Sequence, residues 1–227
     1  MAQITPQDLI DNACIYGQKS SRWNPKMKKY LAGKRSGVHV FDVNTSAEML
    51  AKLLNRVEEL AKSGKTILFV STKPQTRDLL NQIKDETDMP VISYKWFGGL
   101  LTNFSTIKER ILYMKKLQNE FETGDIKRYT KKEQSQFSKE LVKLETALSG
   151  VAQMTRVPDA LFVVDGFLDE IALKEARVLG IEVLGVADSN VNPDLFDVFV
   201  PANDDSMKSL EFILGHTATA ILANKKK

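Results

Sequence analysis

The sequence predicts an α/β chain. It has a three-layer domain built on a roughly five-stranded, mainly parallel sheet, with an antiparallel coiled-coil helical hairpin inserted. Three observations predict it. Short runs rich in Val, Ile, Leu and Phe recur at 38–43, 66–70, 91–93, 160–165, 182–187 and 198–200. Stretches with apolar residues at helical spacing separate them, and strands that alternate with helices pair in parallel through right-handed crossovers. Between about Thr102 and Leu148 the strand signal stops, and two apolar stripes at coiled-coil spacing replace it.

Thr5 and Pro6 read as a helix start, with Leu9, Ile10 and Ala13 as its apolar face. Val38 to Val43 alternates and reads as the first strand. Thr45 or Ser46 caps the next helix, where Met49, Leu50, Leu53, Leu54, Val57 and Leu60 recur to about Ala61 before Ser63-Gly64 ends it. Thr66 to Val70 is a continuous apolar run, the mark of a strand buried on both faces. Pro74-Gln75 opens a helix with Leu79, Leu80 and Ile83 inward, and Val91-Ile92-Ser93 is a short strand.

In the hairpin, Ile107, Ile111, Met114, Leu117 and Phe121 step by four, three, three and four. Gly124 interrupts, and Phe137, Leu141, Leu144 and Leu148 step by four, three and four. Neither stripe can be buried alone, so the two helices are expected to pair. This divides the chain into an α/β domain, 1–101 with 150–227, and an inserted hairpin, 102–149. The sheet resumes at Ala160 to Asp165. A helix from Asp169 to Leu179 is expected to bury Ile171, Ala172, Ala176 and Leu179, and Gly180 stops it. Glu182 to Ala187 is a further parallel strand, and Val198 to Val200 is short because Pro201 limits its pairing. Ser206 caps a last helix lined by Leu210, Ile213, Leu214, Thr217 and Ile221, and Lys225-Lys226-Lys227 forms a short basic tail. No internal repeat of 20–50 residues is evident.

Formal charge is only +3, but it is unevenly spread. From Gly17 to Gly37 there are seven bases (Lys19, Arg22, Lys26, Lys28, Lys29, Lys34, Arg35) and no acid, with Trp23, Asn24 and Tyr30 among them. Broken by Pro25, Gly33 and Gly37, this is a poor helix and a good phosphate-binding arm, since cations neutralise phosphates and aromatic faces stack on bases. A solvated loop with Trp23 tucked into a core is the plainer reading. Residues 159–213 are the mirror image, with twelve acids and three bases, so RNA is expected on one side only. Cys14 is the single cysteine, which excludes an intrachain disulfide framework and a cysteine zinc cluster and fits a reducing, cytoplasmic setting. Neither a secretory signal pattern nor a ~20-residue apolar span is present.

A doubly wound sheet also suits an enzyme or a binding protein for a phosphorylated small molecule, which is the alternative function. Its parts are missing. No G-x-G-x-x-G follows a strand, and Gly64-Lys65-Thr66 precedes its strand with Glu59 where a phosphate loop needs glycine. His39 and His216 have no sequence neighbour suited to ligation or catalysis, and Cys14 has no adjacent base. Ser71-Thr72-Lys73 could hold an anion at a helix start but equally suits an ordinary capped turn, the reading preferred. Asp188, Asp204 and Asp205 follow strands and are candidates for Mg²⁺ held by carboxylates and water, or for turn and capping work. Trp96-Phe97-Gly98-Gly99 is a sharp turn that could admit a phosphate backbone beside Lys95, or be the elbow into the hairpin.

An ordered series of short motifs runs along nearly the whole chain. It comprises Trp23-Asn24-Pro25-Lys26-Met27, Val38-His39 with Phe41-Asp42-Val43, and Trp96-Phe97-Gly98-Gly99-Leu100-Leu101-Thr102-Asn103. Leu144-Glu145 with Leu148-Ser149-Gly150-Val151, Pro158 to Asp165, Asp188-Ser189-Asn190 with Asn192-Pro193-Asp194, and Pro201 to Asp205 follow. The series resembles the small-subunit ribosomal protein S-two family, bacterial type. The resemblance implies a Rossmann/flavodoxin-like domain with a projecting hairpin, no catalysis, and a place on the ribosome's small subunit. Its implied partners are small-subunit rRNA and neighbouring ribosomal proteins, with docking of the large mRNA-binding ribosomal protein S-one; no membrane or small-molecule substrate is expected. The expected rRNA contacts are Lys19, Arg22, Trp23, Asn24, Lys26, Lys28, Lys29, Lys34, Arg35, Lys95 and Trp96, with Lys108, Arg110, Lys115, Lys116, Lys127, Arg128, Lys131 and Lys132 on the hairpin. Many family members carry Gly-x-His-aromatic-Gly-His before the tryptophan. Here the matching positions are Ala13, Ile15, Tyr16, Gly17 and Gln18, so both histidines are replaced and a zinc site built on imidazole is not expected.

Overall fold

The structure, a computed structural model, describes residues 4–224; the basic tail Lys225–Lys227 lies outside them. Helix α1 (Pro6–Asp11) starts at Thr5, whose hydroxyl accepts the Asp8 amide while the Asp8 carboxylate accepts the Thr5 amide. Leu9 is its buried residue, and Ile10 turns outward, contrary to the expected face. The basic stretch is not a loose arm. It folds as β1 (Tyr16–Lys19), a 3₁₀ turn at Pro25–Tyr30, β2 (Leu31–Arg35) and β3 (Val38–Phe41). These strands form a separate antiparallel sheet in the order β1–β3–β2. The run at 38–43 therefore does not join the parallel sheet, and it ends two residues early. Asp42, not Thr45 or Ser46, caps α2 (Val43–Lys62), its carboxylate accepting the Thr45 amide at 2.8 Å.

The main sheet follows: β4 (Ile67–Val70), α3 (Arg77–Thr87), β5 (Val91–Ile92), the hairpin helices α4 (Phe104–Thr123) and α5 (Lys131–Leu148), β6 (Ala160–Val163), α6 (Glu170–Leu179), β7 (Glu182–Ala187), β8 (Val198–Pro201) and α7 (Met207–Leu222). All pairs are parallel and the order is β5–β4–β6–β7–β8. This is the flavodoxin-like order, in which the chain leaves its first strand one way and resumes on the other side. β4 and β6 are buried at every position. Ile67, Phe69 and Phe162 face a core with α1, α2, α3 and α7; Leu68, Val70, Leu161 and Val163 face one with α6 and the hairpin's base. α7 buries all five expected residues. α6 is rotated from expectation: Leu173 and Glu175 are buried, whereas Ile171 and Leu179 are exposed.

Ile107, Ile111, Met114 and Leu148 belong to that second core, so the hairpin is rooted in the domain. Farther out, Gln118 reaches Glu145 at 2.7 Å and Tyr129 packs edge-on against Phe137. Gly124, left-handed at φ 81°, ends α4, and the Thr130–Glu133 capping box starts α5. At the hairpin's return, a Cβ on Gly150 would lie 2.0 Å from the Val91 carbonyl oxygen, so only glycine lets this turn press on β5.

One buried carboxylate sets where the hairpin leaves. Glu175 accepts the Trp96 indole N–H at 3.0 Å, the amides of Gly99, Leu101 and Thr102 at 2.8–3.1 Å, and the Thr102 hydroxyl at 3.1 Å. Burial pushes this carboxyl up, but the indole and the three amides outweigh it and hold it below the ordinary glutamate range. The turn is therefore the elbow into α4. Trp96 is only 8% exposed and has spent its N–H, which removes it as a base-stacking surface.

Glu175→Ala is expected to destabilise by ~3–5 kcal/mol, because a buried acceptor of several donors is lost. Chemical denaturation followed by tryptophan fluorescence measures it. A lowered carboxyl stabilises above its unfolded pKa and loses that contribution as pH falls through the glutamate range. Glu175→Gln should therefore flatten the acid loss of stability seen in the wild type.

Candidate nucleic-acid interface

The small antiparallel sheet is a platform rather than a tether. Met27 and Phe41 are fully buried in the second core, and Tyr30 packs edge-on against Phe199 at 5.2 Å. The Phe41 amide donates to the Ile15 carbonyl and the Asn24 amide to the Ser189 carbonyl. Gln18 donates from its backbone to Ser189 Oγ at 2.8 Å. Gly17 permits that approach, since a Cβ there would meet Ser189 Oγ at 2.8 Å.

On this platform Lys19, Arg22, Lys28, Lys29, Lys34 and Arg35 are exposed, with no ion pair among the described residues. Lys26 is different, because it pairs with Asp194. Trp23 is half-buried and leans on His39, ring centroids 4.9 Å apart. Asn24 works structurally, its side-chain oxygen accepting the Lys26 amide at 3.0 Å to start the 3₁₀ turn. Lys95 is exposed.

Along the hairpin, Lys108, Arg110, Lys115, Lys127, Lys131 and Lys132 are exposed. Arg128 and Lys116 are drawn inward to Glu120, at 2.8 and 3.9 Å, so part of their charge is answered within the hairpin. Sequence reasoning passed over Lys139 and Lys143, which share a shallow groove of about 710 Å³ with Lys132, Ser135, Gln136 and one acid, Glu140. Their spacing of seven and then four from Lys132 places all three on one helical face, a signal readable in the sequence.

The carboxyl end of the parallel sheet has the opposite character. Lys73 follows β4, Asp165 follows β6, and Asp188, Asp204 and Asp205 follow β7 and β8. The Lys73 ammonium donates to Asp204 through its carbonyl (2.6 Å) and Oδ1 (2.7 Å), to Asp205 Oδ1 (2.7 Å), and pairs with Asp165 Oδ2 (2.9 Å). Gln18 Nε2 reaches Asp205 Oδ2 at 2.6 Å and Asp188 Oδ2 at 3.3 Å. The structure thus brings the three candidate aspartates together, one oxygen of each within 4.8 Å of the others. Burial raises the Asp204 carboxyl, and Asp188 and Asp165 beside it raise it further. Asp188 is raised chiefly by burial. Asp205, more exposed, is lowered: Lys73 and Gln18 outweigh its burial. At Ser71-Thr72-Lys73 the Thr72 amide donates to Asp169 at 3.0 Å, so the anion held there is an internal carboxylate; burial pushes that carboxyl to about 6.

The remaining candidates serve structure. Gly64 ends α2 in the left-handed region. His39 is buried in β3, where burial lowers its pKa, and Cys14 is buried with its thiol pushed up. His216 packs edge-on against Phe212 on α7. Among the described residues, no helix is long and apolar enough to cross a membrane.

The family described as Ribosomal protein S2 matches residues 9–224. The chain is 40% identical to the small ribosomal subunit protein uS2 of Fusobacterium nucleatum, over 98% of this chain and 90% of the relative. It is 38% identical to that of Thermus thermophilus, over 97% of this chain and 86% of the relative. The corresponding Wolinella succinogenes protein is 39% identical over 96% of this chain and 80% of its own length. With the motif series, the flavodoxin-like order and near full-length similarity in agreement, the chain belongs to the ribosomal protein S2 family.

Proposed function

We propose that this chain is a structural constituent of the small ribosomal subunit, holding small-subunit rRNA on the β1–β3–β2 platform and along one face of the hairpin. Its work in translation is binding, not turnover. The observation that carries the reading is the set of six exposed cations on the small sheet and its connecting turns, none of them ion-paired among the described residues, although Arg22 borders the acidic pocket. Pre-ordering matters because side chains already held by a packed backbone lose less entropy on meeting phosphate. Lys132, Lys139 and Lys143 continue the cationic surface on α5. The two regions correspond to an α/β domain and an inserted hairpin with a shared core.

A phosphorylated small molecule would seek the crevice between β4 and β6, where the strand order reverses. Lys73, Asp165, Asp204 and Asp205 fill it, and carboxylates there repel phosphate. That end suits a protein neighbour better. Phe167 and Leu168, 63% and 54% exposed, border a pocket of about 600 Å³ that Asp165, Asp204 and Asp205 also line. Ribosomal protein S-one is a neighbour that the resemblance implies, without assigning it to a side.

Binding to small-subunit rRNA is expected to fall ~10³-fold or more between about 50 and 200 mM salt if some six phosphates are neutralised. Filter binding across a salt series checks this, and a nearly flat dependence would rule out the basic platform. Replacing Lys28, Lys34 and Arg35 with Gln should lower the log–log slope by about 2–3, whereas Lys26→Gln should change it by less than about 0.4, under half of one phosphate contact. On the hairpin, the Lys132, Lys139 and Lys143 triple Gln variant should lose more affinity than Lys116→Gln with Arg128→Gln. Equal losses in the same assay would overturn the assignment of the α5 face.

A further inference from the structure

We propose that this chain closes its carboxylate cluster from within, using the Lys73 ammonium and the Gln18 amide, and that the site takes no divalent metal ion. The cluster has the outline of a metal site. Asp188, Asp204 and Asp205 converge, and buried Asp204 Oδ2 has no hydrogen-bond partner among the described residues. Many members of the resembled family carry histidines at the positions matching Ile15 and Gln18, and Gln18 reaches this cluster.

The donors of this chain do not fit that role. Gln18 presents its amide nitrogen to Asp188 and Asp205. Held this way, the amide nitrogen draws the two carboxylates together and has no free lone pair for a metal; its carbonyl oxygen would reach a hard cation there only after the amide turned over and gave up both hydrogen bonds. Ile15 has no donor atom and packs against the first core. Lys73 then takes an oxygen from each of Asp204 and Asp205. It has three N–H groups for four acceptors, so its own capacity is full. A divalent ion on the same oxygens would sit within a few ångströms of this ammonium and be repelled by it. Zinc also needs at least three protein ligands, and Asp204 Oδ2 is one open oxygen.

Gln18 lies in β1, at the root of the basic platform. The cluster is therefore a metal-free fastening between platform and sheet. This claim is independent of whether the platform binds RNA, and its test uses no RNA.

The experiment is calorimetric titration of the EDTA-treated full-length protein with Zn²⁺ and with Mg²⁺, alongside thermal melting. The wild type is expected to show no saturable binding up to ~100 μM metal, with a melting midpoint unmoved by metal or chelator. Gln18→His combined with Lys73→Met, which supplies an imidazole and removes the competing ammonium, is expected to gain micromolar Zn²⁺ binding and a midpoint that rises by several degrees at ~100-fold excess. Saturable wild-type binding of either ion, weakened at least tenfold by Asp188→Asn, would overturn the proposal. So would a folded Gln18→His, Lys73→Met protein with no gain in Zn²⁺ affinity. The wild-type titration decides even where a variant does not fold.

Discussion

A sheet buried on both faces has no surface of its own to offer an RNA. β4 and β6 are covered at every residue, and each strand alternates between two apolar cores. Burying an unpaired charge between those layers would cost several kcal/mol, so ionisable groups are driven to strand ends and to excursions from the domain. The observed division follows. Acids gather where β6, β7 and β8 end; bases occupy the small antiparallel sheet and the hairpin.

Two buried charges then fix how those excursions leave the domain, and they work with opposite sign. Glu175 is an anion surrounded by donors, and its grip on the Trp96–Thr102 turn sets the start of α4. Lys73 is a cation surrounded by acceptors, and through Asp205 it shares a partner with Gln18 of β1. Each spends its charge on backbone geometry, and in each case the beneficiary is a basic surface some distance away.

What could be read in advance follows the same logic. Two-sided burial writes continuous apolar runs, so β4, β6 and β7 were legible, as were α7 and both hairpin helices with their regular stripes. β1 and β2 were not: Gln18, Lys19, Gly33, Lys34 and Arg35 carry no alternation, because neither strand has a fully buried residue that would require an apolar face. The run at Val38 was recognisable as a strand, but its pattern does not name its partner. α6 misled because Ile171 and Leu179 lie on an exposed apolar side while a carboxylate, Glu175, is buried. Trp96 was read as a contact because its partner is 79 residues away. The aspartate candidates were found by following strand ends, yet the Lys73 pairing needed the topology that brings position 73 beside 165, 204 and 205.

The order β1–β3–β2 leaves two outer strands: β1 leans on the Ser189 turn through the Gln18 amide, whereas β2 has a row of amide and carbonyl groups that its own sheet does not use. Such rows are templates on which another chain can add a strand, and lysine or arginine along them discourages it by repulsion. Lys19 stands on one rim; Lys34 and Arg35 stand on the other. The charges proposed to meet phosphate would thus also discourage strand addition to the free protein.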